Sequence, residues 1–112
     1  MTHVTLQLSK LQSERDQWVI YNFGANKMPD ALLGAVEELG ELSHHYLKYT
    51  QKIRGEDQYH SEQMADAVAD CVVYLAGVCS WLGVDFGTLV RDTWDTVKQR
   101  DWRKYPTNGV NE

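Results

Sequence analysis

Apolar residues recur every three or four positions along most of the chain, and the breaks between these runs are few. That spacing is the signature of amphipathic helices, whose repeat is about 3.6 residues. The first segment runs from Thr5 to Tyr21, with Leu8, Leu11, Arg15, Trp18 and Val19 in register. Asn22 to Pro29 breaks it, and Pro29 with Asp30 suits the start of a second helix. The second segment extends to Ile53. Its stripe is Leu32, Ala35, Leu39, Leu42, Tyr46, Tyr49 and Ile53, and Gly55 reads as its stop signal. A third segment spans Ser61 to Leu82, with Ser61 as its cap. It is apolar nearly all round apart from Asp66 and Asp70, as expected of the central helix of a bundle, with Val68, Cys71, Val72, Leu75, Cys79 and Leu82 as core. Gly83 ends it. Asp85 caps a fourth segment that reaches Trp102, carrying Leu89, Val90, Trp94 and Val97. No strand-like alternation competes. The expected fold is an all-α bundle of about four helices in one domain, residues 1–106, followed by a loose tail, residues 107–112.

The chain has 112 residues, of which 43% are hydrophobic and 24% charged, values that fit a globular protein and argue against disorder. Its net charge is −5, and no Lys/Arg cluster exceeds a few residues, so a nucleic-acid polymer is not an expected partner. No basic start precedes a long apolar run, so no signal peptide is expected. The longest nearly apolar stretch, Cys71 to Val84, is short for a membrane span. On one helix Cys71 and Cys79 stand ~12 Å apart, too far for a disulfide. A reduced, cytoplasmic protein is the expectation.

Candidate chemistry lies in Glu37-Glu38-Leu39-Gly40-Glu41. At about 100° per residue, Glu37, Glu38 and Glu41 share roughly a third of the helix circumference. No Lys or Arg lies within four residues of them. Asp66 and Asp70 stand one turn apart on the most apolar helix, where unpaired acids are costly to bury. Antiparallel packing of these two helices would bring five carboxylates together. All-oxygen sites suit Mg²⁺ or Mn²⁺ rather than zinc.

This combination resembles the MazG-like, all-α nucleotide pyrophosphohydrolase superfamily. The family pattern is Glu-Glu-x-x-Glu on one helix and Glu-x-x-Asp on the next. Glu37, Glu38 and Glu41 match the first motif, and Asp70 matches the final Asp of the second. The remaining Glu position falls on Ala67, with Asp66 one residue earlier. Trp18, Asn22 and Phe23, then Leu82-Gly-Val-Asp85, and then Val97-Lys-Gln-Arg100-Asp101-Trp102 also resemble the family. The resemblance implies Mg²⁺-dependent hydrolysis of a nucleoside triphosphate to the monophosphate and pyrophosphate, in a homodimer or homotetramer. Glu38, Glu41 and Asp70 would be direct ligands, with Glu37 and Asp66 as further ligands or as the group orienting the water. Basic residues would meet the phosphate tail, Lys98 and Arg100 first, then Arg103 and Lys104. Trp18 and Phe23 would stack the base and Asn22 would read it.

Two other readings follow from the same residues. Glu41-x-x-His44 resembles the Glu-x-x-His of di-iron carboxylate bundles, but no second copy of that motif exists in the chain. Ala67 at a family ligand position fits a degenerate helical module that binds nucleotide or a protein partner without turnover.

Overall fold

The computed structural model describes residues 2–25 and 29–111, so part of the break expected at Asn22–Pro29 lies outside the described residues. Four helices follow in order: α1 (His3–Phe23), α2 (Asp30–Gln51), α3 (Asp57–Leu82) and α4 (Phe86–Val97). No strand occurs among the described residues. The all-α expectation holds, and several helix ends move: α1 runs from His3 to Phe23 rather than from Thr5 to Tyr21, so Asn22 and Phe23, expected in the break, belong to the helix.

Helix α2 stops at Gln51 rather than Ile53, because Lys52 takes a left-handed conformation (φ 59°) and its amide returns to the Lys48 and Tyr49 carbonyls. Gly55 lies three residues farther on, inside the turn, at φ 137°. Helix α3 begins at Asp57, four residues before Ser61, which sits inside the helix and caps nothing. A 2.7 Å ion pair between Lys52 and Asp57 closes that turn. Helix α4 ends at Val97, five residues short of Trp102. Beyond it the chain turns back on itself: the Asp101 amide donates to the Gly109 carbonyl at 2.7 Å, and the Asp101 carboxylate accepts the Arg103 and Lys104 amides. At the junction of α3 and α4 the sequence signals are met. The Asp85 carboxylate caps the Thr88 amide, and Gly83 ends α3 at φ 74°.

Helices α2 and α3 form an antiparallel hairpin. Its register is visible where the Tyr74 ring packs on Gly34, Cys71 Sγ approaches the Ala35 carbonyl, and His45 meets His60. Helix α1 crosses α3, and α4 packs on α1 and α3. The α1–α4 crossing is close: a side chain at Gly87 would run into the Thr5 carbonyl and the Ser9 hydroxyl. A buried polar knot fixes α1 to the α3–α4 turn. Gln12 Nε2 donates to the Val84 carbonyl at 2.8 Å and to Ser80 Oγ at 3.1 Å, while its Oε1 accepts the Phe86 amide at 2.8 Å. Ser80 in turn donates to Asp16 at 2.6 Å.

Small residues fill the core: Ala31, Ala35, Ala67, Ala76, Gly77 and Cys79 are buried. Much of the expected apolar stripe is not. Leu32, Leu39 and Tyr46 on α2 stand about half exposed, as do Val68 and Leu82 on α3. Helix spacing placed them on one face, but among the described residues no element covers that face. The radius of gyration is 17.5 Å, where a compact chain of this length has about 13 Å. By length and composition α3 is also long and apolar enough to cross a membrane, with a mean hydropathy of 1.5 over its best window. The core helix of a bundle meets the same test, and α3 touches all three other helices.

Candidate functional site

The site grows from the hairpin register. With Tyr74 against Gly34 and Cys71 level with Ala35, Asp70 falls opposite Glu38. The half-buried Glu38 carboxyl is pushed above its ordinary pKa, first by partial burial and then by the charges of Asp70, Glu37 and Glu41. Four of the five predicted acids therefore share one electrostatic neighbourhood. Asp66 is not among the charges that raise Glu38. The same register sets Ala67, 3% exposed, at the level of Glu41, so the position where the family pattern has Glu is closed by a methyl group.

Among the described residues no Lys or Arg pairs with Glu37, Glu38, Glu41, Asp66 or Asp70. Glu41 has only His45, one turn on, with Nε2 3.8 Å from its Oε2. Among the described residues, too, no group of three or more His, Cys, Asp or Glu is close enough to hold a metal ion by itself. The acids form an open shelf rather than a closed cage. That arrangement fits Mg²⁺ chemistry, since this ion is commonly held by one or two carboxylates and completed by substrate phosphates and water.

Beside the shelf lies a cavity of about 480 Å³, at the junction of α1, α2 and α3. Trp18 and Phe23 of α1 line it, as do Glu37 of α2 and Tyr74 of α3. Trp18 and Phe23 meet edge to face, ring centroids 5.7 Å apart. Two predicted base contacts thus share a wall with a predicted acid. The third, Asn22, does not reach the cavity: its amide donates to the Trp18 carbonyl at 2.8 Å within α1. The proposed phosphate contacts are also elsewhere. Lys98 pairs with Asp95 at 3.0 Å, Arg100 packs on Gly109, Lys104 lies over the Tyr105 ring, and Arg103 follows in the Asp101 turn.

Arg15 and Tyr74 also line the cavity, and the sequence pattern assigned neither of them a place there. Arg15 sits in the apolar register of α1, with its guanidinium carbon 5.6 Å from the Tyr74 ring centroid. Its Nε and Nη1 are buried without a hydrogen-bond partner. Burial lowers its pKa, against the opposing pull of Asp16 and Tyr74. Tyr74 lies one turn after Asp70. Glycines make the room: a side chain at Gly34 would overlap the Tyr74 ring, and one at Gly77 would overlap the Arg15 guanidinium. A cationic residue in an apolar helix register was the available signal for Arg15. Compared with known protein families, curated proteins and solved structures, the chain matches none.

Proposed function

We propose that this chain is a Mg²⁺-dependent nucleoside triphosphate pyrophosphohydrolase of the MazG-like type, releasing pyrophosphate and a nucleoside monophosphate. The observation that carries the reading is the opposition of Glu38 and Asp70 across the hairpin, without a Lys or Arg partner among the described residues, beside a cavity walled by Glu37 and aromatic rings. Glu38, Glu41 and Asp70 would hold the ion. When bound, Mg²⁺ (or Mn²⁺) screens phosphoryl charge and lowers the pKa of a water. Glu37, on the cavity wall, would accept a hydrogen bond from the attacking water and orient it. Trp18, Phe23 and Tyr74 stack the base, and Arg15 supplies the cavity with donors. Asp66 serves at most through water.

The reading includes self-association. The protein exposes 8043 Å², whereas a compact monomer of this mass exposes about 6,300 Å². The difference is roughly twice the area of about 800 Å² that each partner buries in a standard interface. The uncovered α2–α3 face supplies apolar surface for a second copy, as a homodimer or homotetramer. Lys98, Arg100, Arg103 and Lys104 lie off the cavity of their own chain, so they would reach a triphosphate from that second copy. The competing reading, a module that binds without turnover, is favoured by the buried Ala67.

Pyrophosphate release is measured from a panel of ribo- and deoxyribonucleoside triphosphates with Mg²⁺, with Mn²⁺ and with EDTA. Metal-dependent release is the expected result. Tight nucleotide binding with no release from any member selects the binding module.

A further inference from the structure

The closed end of the α2–α3 hairpin buries two imidazoles. His45 on α2 is 8% exposed and His60 on α3 is 1% exposed. Their Nδ1 atoms are 3.0 Å apart, and His60 Nε2 is 3.0 Å from the Ile53 carbonyl oxygen. The rings of His44 and Tyr59 brace His45 edge to face, at centroid distances of 5.0 and 5.7 Å. A carbonyl only accepts, so His60 carries its proton on Nε2. With both rings neutral, its Nδ1 is then the acceptor and His45 Nδ1 the donor. A neutral His45 is left with a bare Nε2, and that atom faces Glu41 Oε2 at 3.8 Å. In that tautomer His45 Nε2 and Glu41 Oε2 both present lone pairs to the gap between them.

We propose that His45 Nε2 and Glu41 form a chelating pair for a divalent transition metal of the Zn²⁺ or Co²⁺ class. The two residues are four apart on one helix, so they project from the same face. Tetrahedral ligation at about 2.1 Å sets two ligand atoms about 3.4 Å apart, and a small rotation of the exposed Glu41 closes the difference. A metal-bound histidine usually donates its other N–H to a fixed acceptor, and the His60–Ile53 relay provides one. Water and phosphate oxygens complete the coordination. An imidazole nitrogen among the carboxylates moves the preference away from Mg²⁺ and toward the borderline metals. Because Glu41 is shared, the functional consequence rests on the pyrophosphohydrolase reading, whereas metal binding itself does not.

The test is ¹⁵N NMR of the imidazoles in the full chain without nucleotide, before and after addition of Zn²⁺. The expected start is a protonated Nδ1 and a bare Nε2 on His45, and the expected response is a shift of that Nε2 on metal addition. His45→Gln should weaken Zn²⁺ binding by about tenfold or more, as loss of a relay partner through His60→Gln also should. A doubly protonated His45 at neutral pH that ignores Zn²⁺ would overturn the proposal, since a proton then fills the gap. The wild-type spectra decide this even where a variant fails to fold. Mg²⁺-dependent pyrophosphate release is read on the same sample. Release without an Nε2 response refutes the chelate alone, and an Nε2 response without release refutes the hydrolase alone.

Discussion

Where α1 crosses the α3–α4 turn, a buried glutamine is bonded at both ends of its amide, to Ser80, Val84 and Phe86. On the α2–α3 hairpin, Glu38 faces Asp70 with Glu37 and Glu41 on either side, and no Lys or Arg among the described residues pairs with any of them. Both regions hold polar groups against an apolar helix. The first finds nearly all its partners within the chain, Asp16 Oδ1 being left over. The second finds like charges and, for Glu41, the His45 ring at 3.8 Å. Folding favours the knot and opposes the shelf; in the proposed function a bound Mg²⁺ offsets that repulsion. Stability and turnover should therefore separate cleanly between the two regions.

The largest effect is expected on the shelf. Asp70→Asn or Glu41→Gln should reduce pyrophosphate release by roughly 1,000-fold or more, since each removes a proposed ligand. The melting temperature of the metal-free protein should hold or rise, because each change removes one of the charges crowding Glu38. Steady-state kinetics and thermal melts on the same preparations read both quantities. Unchanged activity in both variants sinks the assignment of the shelf.

The knot should give the reverse. Gln12→Ala strips the partners from the Phe86 amide and the Val84 carbonyl, which costs about 2–3 kcal/mol. For a domain of this size that is a fall in Tm of about 10 °C or more. Activity per folded molecule should stay near that of the parent chain, because Gln12 lies outside the cavity wall. A matching loss of turnover at low temperature would show that the knot also sets the position of Trp18 and Arg15.

The same contrast explains how much the sequence disclosed. Four helices were legible because apolar spacing of three and four is a local pattern. So were the Asp85 cap and the Gly83 stop, which act within one turn. The start of α3 and the end of α4 were not, since they depend on the Lys52–Asp57 ion pair and on the Asp101–Gly109 contact, made only once the chain has turned. The acids were legible as charges without cations nearby. Arg15 and Tyr74 were not, because their place in the site depends on the missing side chains of Gly34 and Gly77 on other helices. The uncovered face of α2 looked like core for the same reason: periodicity shows that a face is apolar, not what covers it.

The smallest expected effect is also the most specific to the shelf. Glu38 has a folded-state pKa above its ordinary value, so the folded protein takes up that proton more readily than the unfolded chain does. Its ionised form therefore costs stability at neutral pH. The cost is relieved as the pH falls through the raised folded-state value toward the ordinary glutamate value, the opposite of a paired carboxylate. Glu38→Gln should raise the Tm of the metal-free protein at neutral pH, by less than Gln12→Ala lowers it, and the gain should shrink on acidification. Added Mg²⁺ should narrow or invert the difference, because only the parent chain has the carboxylate to bind the ion. Melts at several pH values, with Mg²⁺ and with EDTA, test this directly. A Glu38→Gln protein that is less stable at neutral pH without metal would mean that Glu38 has a partner within the fold, and the shelf would then be structural, like the knot.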